Sequence, residues 1–420
     1  MKGTLNGVAQ KVLAQRYGYF SFLQGHSQIL VFGLLLTFFS SFGQTFLISI
    51  FVPQFLEVFA LDTAQFGTLY AVATLTSAAS LPWFGRLLDR VALHRFSLTA
   101  GLGLALACLT MALAPNVGFL FIALLGLRLT GQGLLSLTAS ITMARVFEKG
   151  RGRALSLSGL GYPLGEGLLP LGVVLLAQGV GWRLSWGLLG GVVALVLLPA
   201  ISLLLHHERQ SSDVSVVKAS SLPGRFALLR DGRFYALLPS TIFLPLVLTA
   251  LFLYQIPLAE AYGWSVKTIA TAFIGFASAR MAGSLLIGPW IDRCGAQNLF
   301  PLTLLPACAG LIVLSLGSAP WIALVYLSLV GISQGINGPT MTALWAEVYG
   351  VESLGATKGI VATIGVFATA LGPVVVGGLL KVGVPFTVIV PGCAVLGLVA
   401  VVTGLLVRSR FGEVSTAAPV

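Results

Sequence analysis

The chain has 420 residues, of which 57% are hydrophobic and only 9% charged, with a mean hydropathy of +0.97. Soluble domains carry about 25% charged residues, so this composition excludes a water-covered surface and calls for lipid. The net charge of +11 does not mark a nucleic-acid binder, because no basic stripe or aromatic platform accompanies it.

A run of about 20 apolar residues crosses about 30 Å of hydrocarbon. Twelve such runs are read along the chain, at 28–52, 64–86, 96–114, 118–144, 154–178, 183–205, 234–257, 267–290, 298–317, 321–345, 357–380 and 385–407. Helix is the expected state, because open strands cannot satisfy their backbone in lipid. The first run starts near Ile29 and continues too far for a cleavable signal peptide. The cysteines, Cys108, Cys294, Cys308 and Cys393, show no metal-binding spacing and are read as small core residues without a disulfide. His206-His207 and the lone His26 are expected to be solvated rather than metal-bound.

The longest polar interruption, 206–233, follows the sixth run and contains the breaker Pro223-Gly224. The expected division is an N-terminal segment 1–27, a six-helix bundle 28–205, a linker 206–233, a second bundle 234–407 and a tail 408–420. With the N-terminus placed in the cytoplasm, nineteen Lys and Arg fall in cytoplasmic segments and three, Arg183, Lys267 and Lys381, fall on the other side. That asymmetry sets the orientation and accounts for the positive charge. Two more arginines, Arg128 and Arg280, lie inside the fourth and eighth runs.

The halves repeat. The turn Gly85-Arg-Leu-Leu-Asp-Arg-Val-Ala-Leu-His-Arg95 between the second and third runs is echoed by Gly288-Pro-Trp-Ile-Asp-Arg-Cys-Gly295 between the eighth and ninth. Gly131-Gln-Gly133 matches Ser333-Gln-Gly335 at nearly the same offset, and Arg151-Gly-Arg-Ala154 falls opposite Ser353-Leu-Gly-Ala356. Internal duplication of this kind is common among secondary transporters.

With these motifs and the six-plus-six layout, the chain resembles the major facilitator superfamily over residues 28 to 407. The resemblance implies an all-α membrane protein of twelve helices in two pseudo-symmetric bundles, a substrate near the midplane, and rocking alternating access. It also implies that Gly85, Asp89, Arg90 and Arg95, with Asp292 and Arg293, latch a cytoplasmic gate. The plainer reading of these charges is topological: they simply hold the loops in the cytoplasm.

A charge at mid-span is costly and should face a cavity or a partner. Arg128, Gln132 and Ser136 recur every four residues, on one helical face. Counting from the helix ends brings Glu166, in the fifth run, within about one turn of Arg128 in depth, so the two are expected to pair. Such a pair either couples a proton to substrate or is a permanent structural ion pair. Arg280 has no acid nearby on its own helix. It reads as a receptor for a carboxylate, held by two parallel bonds, or else pairs with an acid of another helix. An arginine on the eighth span is similar to what the monocarboxylate and oxalate transporter groups of the superfamily carry.

Uncharged polar residues form stripes: Thr37, Ser41, Gln44 and Thr45 on the first run, Gln334 and Asn337 on the tenth, and Tyr254 and Gln255 near the end of the seventh. They are expected to line a cavity, although interhelical hydrogen bonding explains any one of them equally well. No nucleophile–base set and no phosphate-cradling loop is present, so neither an enzyme nor an ATP-driven pump is expected.

The resulting expectation is a monomeric secondary transporter of the bacterial plasma membrane, with both termini cytoplasmic and no cofactor or metal. It moves a small organic anion with protons. Its substrate site comprises Arg280, Arg128, Gln44, Gln334, Asn337 and Tyr254, with Glu166 and Arg128 coupling the proton. A proton-driven exporter of drugs or amphipathic metabolites is the alternative. A non-transporting membrane receptor would not need the buried charges.

Overall fold

The computed structural model describes residues 26–88, 90–147, 151–206, 231–350 and 354–412. Among them nine helices are long and apolar enough to cross a membrane, and a bent pair, Ser27–Gly43 with Thr45–Val58, makes a tenth. The segment Arg151–Leu204 counts there as one helix of 54 residues. At 1.5 Å per residue it would be about 80 Å long, far more than one crossing. It turns at Gly181, whose φ of +77° only glycine adopts without strain. Thr63–Leu88 has 26 residues and is less apolar. The described residues therefore make twelve passes, numbered as spans one to twelve.

Span one is the bent pair, span two is Thr63–Leu88, span three Leu93–Leu113 and span four Val117–Val146. Spans five and six are the two arms of Arg151–Leu204. Span seven is Gly232–Leu253, span eight Val266–Leu286, span nine Ala296–Ser315, span ten Pro320–Tyr349, span eleven Leu354–Lys381 and span twelve Phe386–Gly412. Most of the linker read at 206–233 and the residue Asp89 lie outside the described residues. So do most of the N-terminal segment and the end of the tail.

Local chemistry explains several helix ends. Asp62 and Gln65 form a reciprocal cap at the start of span two: Gln65 N–H donates to Asp62 Oδ1 at 2.8 Å and Asp62 N–H to Gln65 Oε1 at 2.9 Å. Asn116 and Ser265 cap spans four and eight by accepting from Phe119 N–H and Thr268 N–H. Leu195, Leu203, Leu285 and Leu406 are each more than 60% exposed. Exposed apolar surface on this scale needs a lipid cover.

The face carrying the Gly85–Arg95 turn is called here the basic face, and the opposite one, with Asp62, Gly181 and Lys381, the far face. Between the halves, span two runs against span eleven and span five against span eight.

Candidate functional site

At mid-depth an ion pair joins the two halves. Arg280 of span eight donates through Nη1 to Oε1 of Glu166 on span five. Glu166 is 9% exposed, and its second oxygen, Oε2, is buried and accepts no hydrogen bond. A buried hydroxyl without a partner, Ser41 Oγ on span one, comes from the same half. Gly165 packs directly on the Ser41 side chain, which puts Ser41 beside the turn of span five that carries Glu166. Tyr162, one turn earlier on span five, shares the surroundings of Ser136, Glu166 and Arg280.

This arrangement corrects the expected pairing. Glu166 engages Arg280, not Arg128, and Arg280 is not an open receptor. The reason is helix adjacency. Span five faces span eight across the interface of the halves, with Gly167 set against Ala277.

Arg128 lies elsewhere and has a different role in the fold. Its Nε donates to Thr74 Oγ1 at 3.1 Å and its Nη1 to the Gly43 carbonyl at 3.1 Å. The guanidinium lies 5.0 Å from the centre of the Tyr70 ring, and the Tyr70 hydroxyl bonds Thr45 Oγ1 at 2.7 Å. Gly43 ends the first piece of span one, where the helix bends by 45°. A break in lipid frees carbonyls that need donors, and a helix C-terminus carries partial negative charge. Arg128 answers both needs without a carboxylate. Residues Leu127–Leu135 are π-helical, so the every-fourth-residue register read from the sequence does not hold. Arg128 is buried at 3% exposure, while Gln132 and Ser136 are only partly buried.

Of the other expected site residues, Gln44 and Gln334 are half-buried, and Asn337 accepts from Thr303 Oγ1 at 3.0 Å within the second half. Tyr254 is fully buried. Its hydroxyl donates to the carbonyls of Thr63 at 2.7 Å and Pro373 at 3.2 Å. Tyr254 therefore helps close the far face rather than lining an open cavity.

That closure is extensive and was not anticipated. Thr63 Oγ1 donates to the Gly377 carbonyl at 2.9 Å, and Gln255 Nε2 donates to Phe46 O at 3.1 Å and Ser49 Oγ at 2.7 Å. Lys381 Nζ lies 3.0 Å from Asp62 Oδ2. Hydrogen bonds from Gln65 N–H and from Lys381 hold the Asp62 carboxyl below its usual value. Gly67 and Gly377 let the helices touch: a Cβ on Gly67 would lie 2.6 Å from the Pro373 carbonyl oxygen, and one on Gly377 2.5 Å from that of Thr63. The sequence signals available were the Gly372-Pro373 step and the charges at positions 62 and 381.

On the basic face Arg90, Arg95, Asp292 and Arg293 are exposed, and a Cβ on Gly85 or Gly288 would meet nothing within 4 Å. Among the described residues, no group of three or more His, Cys, Asp or Glu is placed to hold a metal.

The halves are thus clasped on the far face, with the Glu166–Arg280 ion pair midway, in a membrane-spanning helical fold. Comparison with known sequences agrees: the pattern of the Major Facilitator Superfamily matches residues 33–258 and 237–418. The chain belongs to that superfamily; it is a multi-pass transporter, not an enzyme. Among curated proteins it is 30% identical over 325 residues to the "Transcription regulatory protein OpdE" of Pseudomonas aeruginosa, covering 74% of this chain and 77% of that one. Among solved structures it is similar in fold to the nucleoside transporter NupG, with a TM-score of 0.69 at 12% identity over 91% of this chain and 99% of that one. It is also similar to a bacterial homologue of the human lysosomal transporter Spinster, inward-facing and unoccupied, with a TM-score of 0.66 at 15% identity, covering 92% and 98%.

Proposed function

We propose that the chain moves a small organic anion of the carboxylate type together with protons. The Glu166–Arg280 pair carries this reading. A substrate carboxylate and Glu166 compete for the same guanidinium. Protonating Glu166 removes its claim on Arg280, so the proton and the anion favour each other's binding. Such linkage is reciprocal: whatever the proton does for the anion, the anion does for the proton. Because the pair bridges the halves, releasing it also loosens their contact. The unpartnered Glu166 Oε2 is the oxygen free to take the proton.

In this reading the substrate bonds Arg280, with Gln44, Gln334 and Asn337 as candidate neighbours. Arg128 supports the site through the bend of span one and Tyr254 through the far face. The gate on the basic face, with Asp89, Arg90, Arg95, Asp292 and Arg293, remains part of the proposal. The Lys and Arg distribution supports the basic face and both termini in the cytoplasm of a plasma membrane. The closed far face then corresponds to an inward-facing state. The resemblance to the monocarboxylate and oxalate groups rests on Arg280 alone.

The test is uptake of radiolabelled small monocarboxylates into proteoliposomes, with and without an acid outer bath. Uptake driven by the pH gradient, and lost in Arg280→Gln with the protein still folded, supports the proposal. Flux of amphipathic cations alone would replace it with the export reading. Ligand binding without any flux would favour a regulatory role of the kind the name of the Pseudomonas relative suggests.

A further inference from the structure

A second candidate site lies on the lipid-facing wall of the first half, away from the ion pair. Spans two and three stand apart there, and span four forms the floor between them. The groove, of about 170 Å3, is lined by Phe84 and Leu87 of span two, Phe96 and Thr99 of span three, and Leu129 and Leu134 of span four. Its walls are mostly apolar and Leu87 is 44% exposed, so the described residues leave the groove open.

The groove has a polar end. Arg90 follows Leu87 by three residues and lies just past the end of span two. Arg95 precedes Thr99 by four residues on span three, one helical turn back on the same face. Both arginines are exposed. The Gly85–Arg95 turn carries three arginines against one acid, so its charge is net positive. Trp83, 65% exposed, marks the same level as the membrane boundary, where exposed tryptophans gather.

An apolar groove whose lining residues Leu87 and Thr99 stand within about one helical turn in sequence of the exposed Arg90 and Arg95 matches one kind of occupant. We propose that it holds an acyl chain of an anionic phospholipid, with the phosphate between Arg90 and Arg95. The chain supplies apolar contact along Phe84, Phe96 and Leu134, and the headgroup supplies the charge that the turn lacks. Basic pockets between helices commonly bind anionic headgroups of the cytoplasmic leaflet, so the proposal also rests on the orientation given above.

Native mass spectrometry of the detergent-purified full chain, titrated with phosphatidylglycerol or phosphatidylcholine, tests the proposal and does not depend on orientation. The expected result is retention of phosphatidylglycerol about tenfold or more above phosphatidylcholine, in line with two arginines near one anionic headgroup. The pair of substitutions Arg90→Gln and Arg95→Gln should bring that ratio close to one. Thr99→Phe, which fills the groove and leaves the arginines in place, should lower retention of both lipids. Equal retention of the two lipids by the unaltered chain overturns the proposal. So does retention of phosphatidylglycerol unchanged by Thr99→Phe, because the headgroup alone would then explain binding.

Discussion

Arg280 and Glu166 join the two halves of the molecule at mid-depth, and one Glu166 oxygen is left buried without a donor. Removing one partner strands the other charge in a low-dielectric interface, whereas removing both strands neither. In a double-mutant cycle, Glu166→Gln and Arg280→Gln alone should each lower Tm more than the double substitution. A coupling energy of roughly 1–3 kcal/mol is expected. Strictly additive melting shifts would show that the pair is not formed in the membrane protein.

Arg128 should behave as a structural residue of span one. Arg128→Met leaves the Gly43 carbonyl without its side-chain donor in a buried site, at a cost of about 1–3 kcal/mol. Tm should fall accordingly. Substrate affinity measured on the folded fraction should change less than in Arg280→Gln; the reverse ranking would return Arg128 to the substrate site.

Far-face closure depends on glycine contact. Gly67→Ala places a methyl group 2.6 Å from the Pro373 carbonyl oxygen and the Tyr254 hydroxyl. Backbone cannot yield cheaply there, so the closed state should lose population. Spin labels at Glu57 and Val382, both exposed on the far face, should report a longer distance distribution than in the unaltered chain. Unchanged distances would mean that the contact tolerates a side chain.

The Asp62–Lys381 pair predicts a pH profile. Asp62 has its pKa lowered by the Gln65 backbone N–H first and Lys381 second, from an ordinary value of 3.8. A lowered carboxyl stabilises the closed form above that value, and the contribution fades as pH falls below it. The pair's contribution to far-face closure should therefore be constant between about pH 5 and 8 and fade only in acid. Asp62→Asn should lower Tm by a constant amount across about pH 5–8, and the two melting profiles should converge in acid, where Asp62 is itself protonated. A difference confined to acid pH would contradict the assignment.

Orientation is open to direct measurement. Cys294, on the basic face, is exposed, while Cys108, Cys308 and Cys393 are buried. A membrane-impermeant maleimide should label intact cells poorly and inverted vesicles well. Labelling of intact cells would place the basic face outside.

Much of the fold was legible in the residues. Twelve apolar runs, the polar gap after the sixth and the echo of Gly85–Asp89–Arg90 in Gly288–Asp292–Arg293 define two related six-helix halves, because only helices of that length satisfy their backbone across lipid. The candidate site was legible only in part. Glu166 and Arg280 were both singled out, but the depth count paired Glu166 with Arg128. Depth along a helix is a one-dimensional quantity and follows from sequence position. The choice of partner depends on which helix stands beside which and on how a helix is wound. The packing of span five on span eight decided that Glu166 meets Arg280. The π-helical turns of span four and the bend of span one sent Arg128 to the Gly43 carbonyl instead. The sequence by itself determined the class, the duplication and the identity of the buried charges. Only the tertiary structure decided their partners and which face is closed, because those depend on contacts between residues more than fifty positions apart in the chain, on different helices.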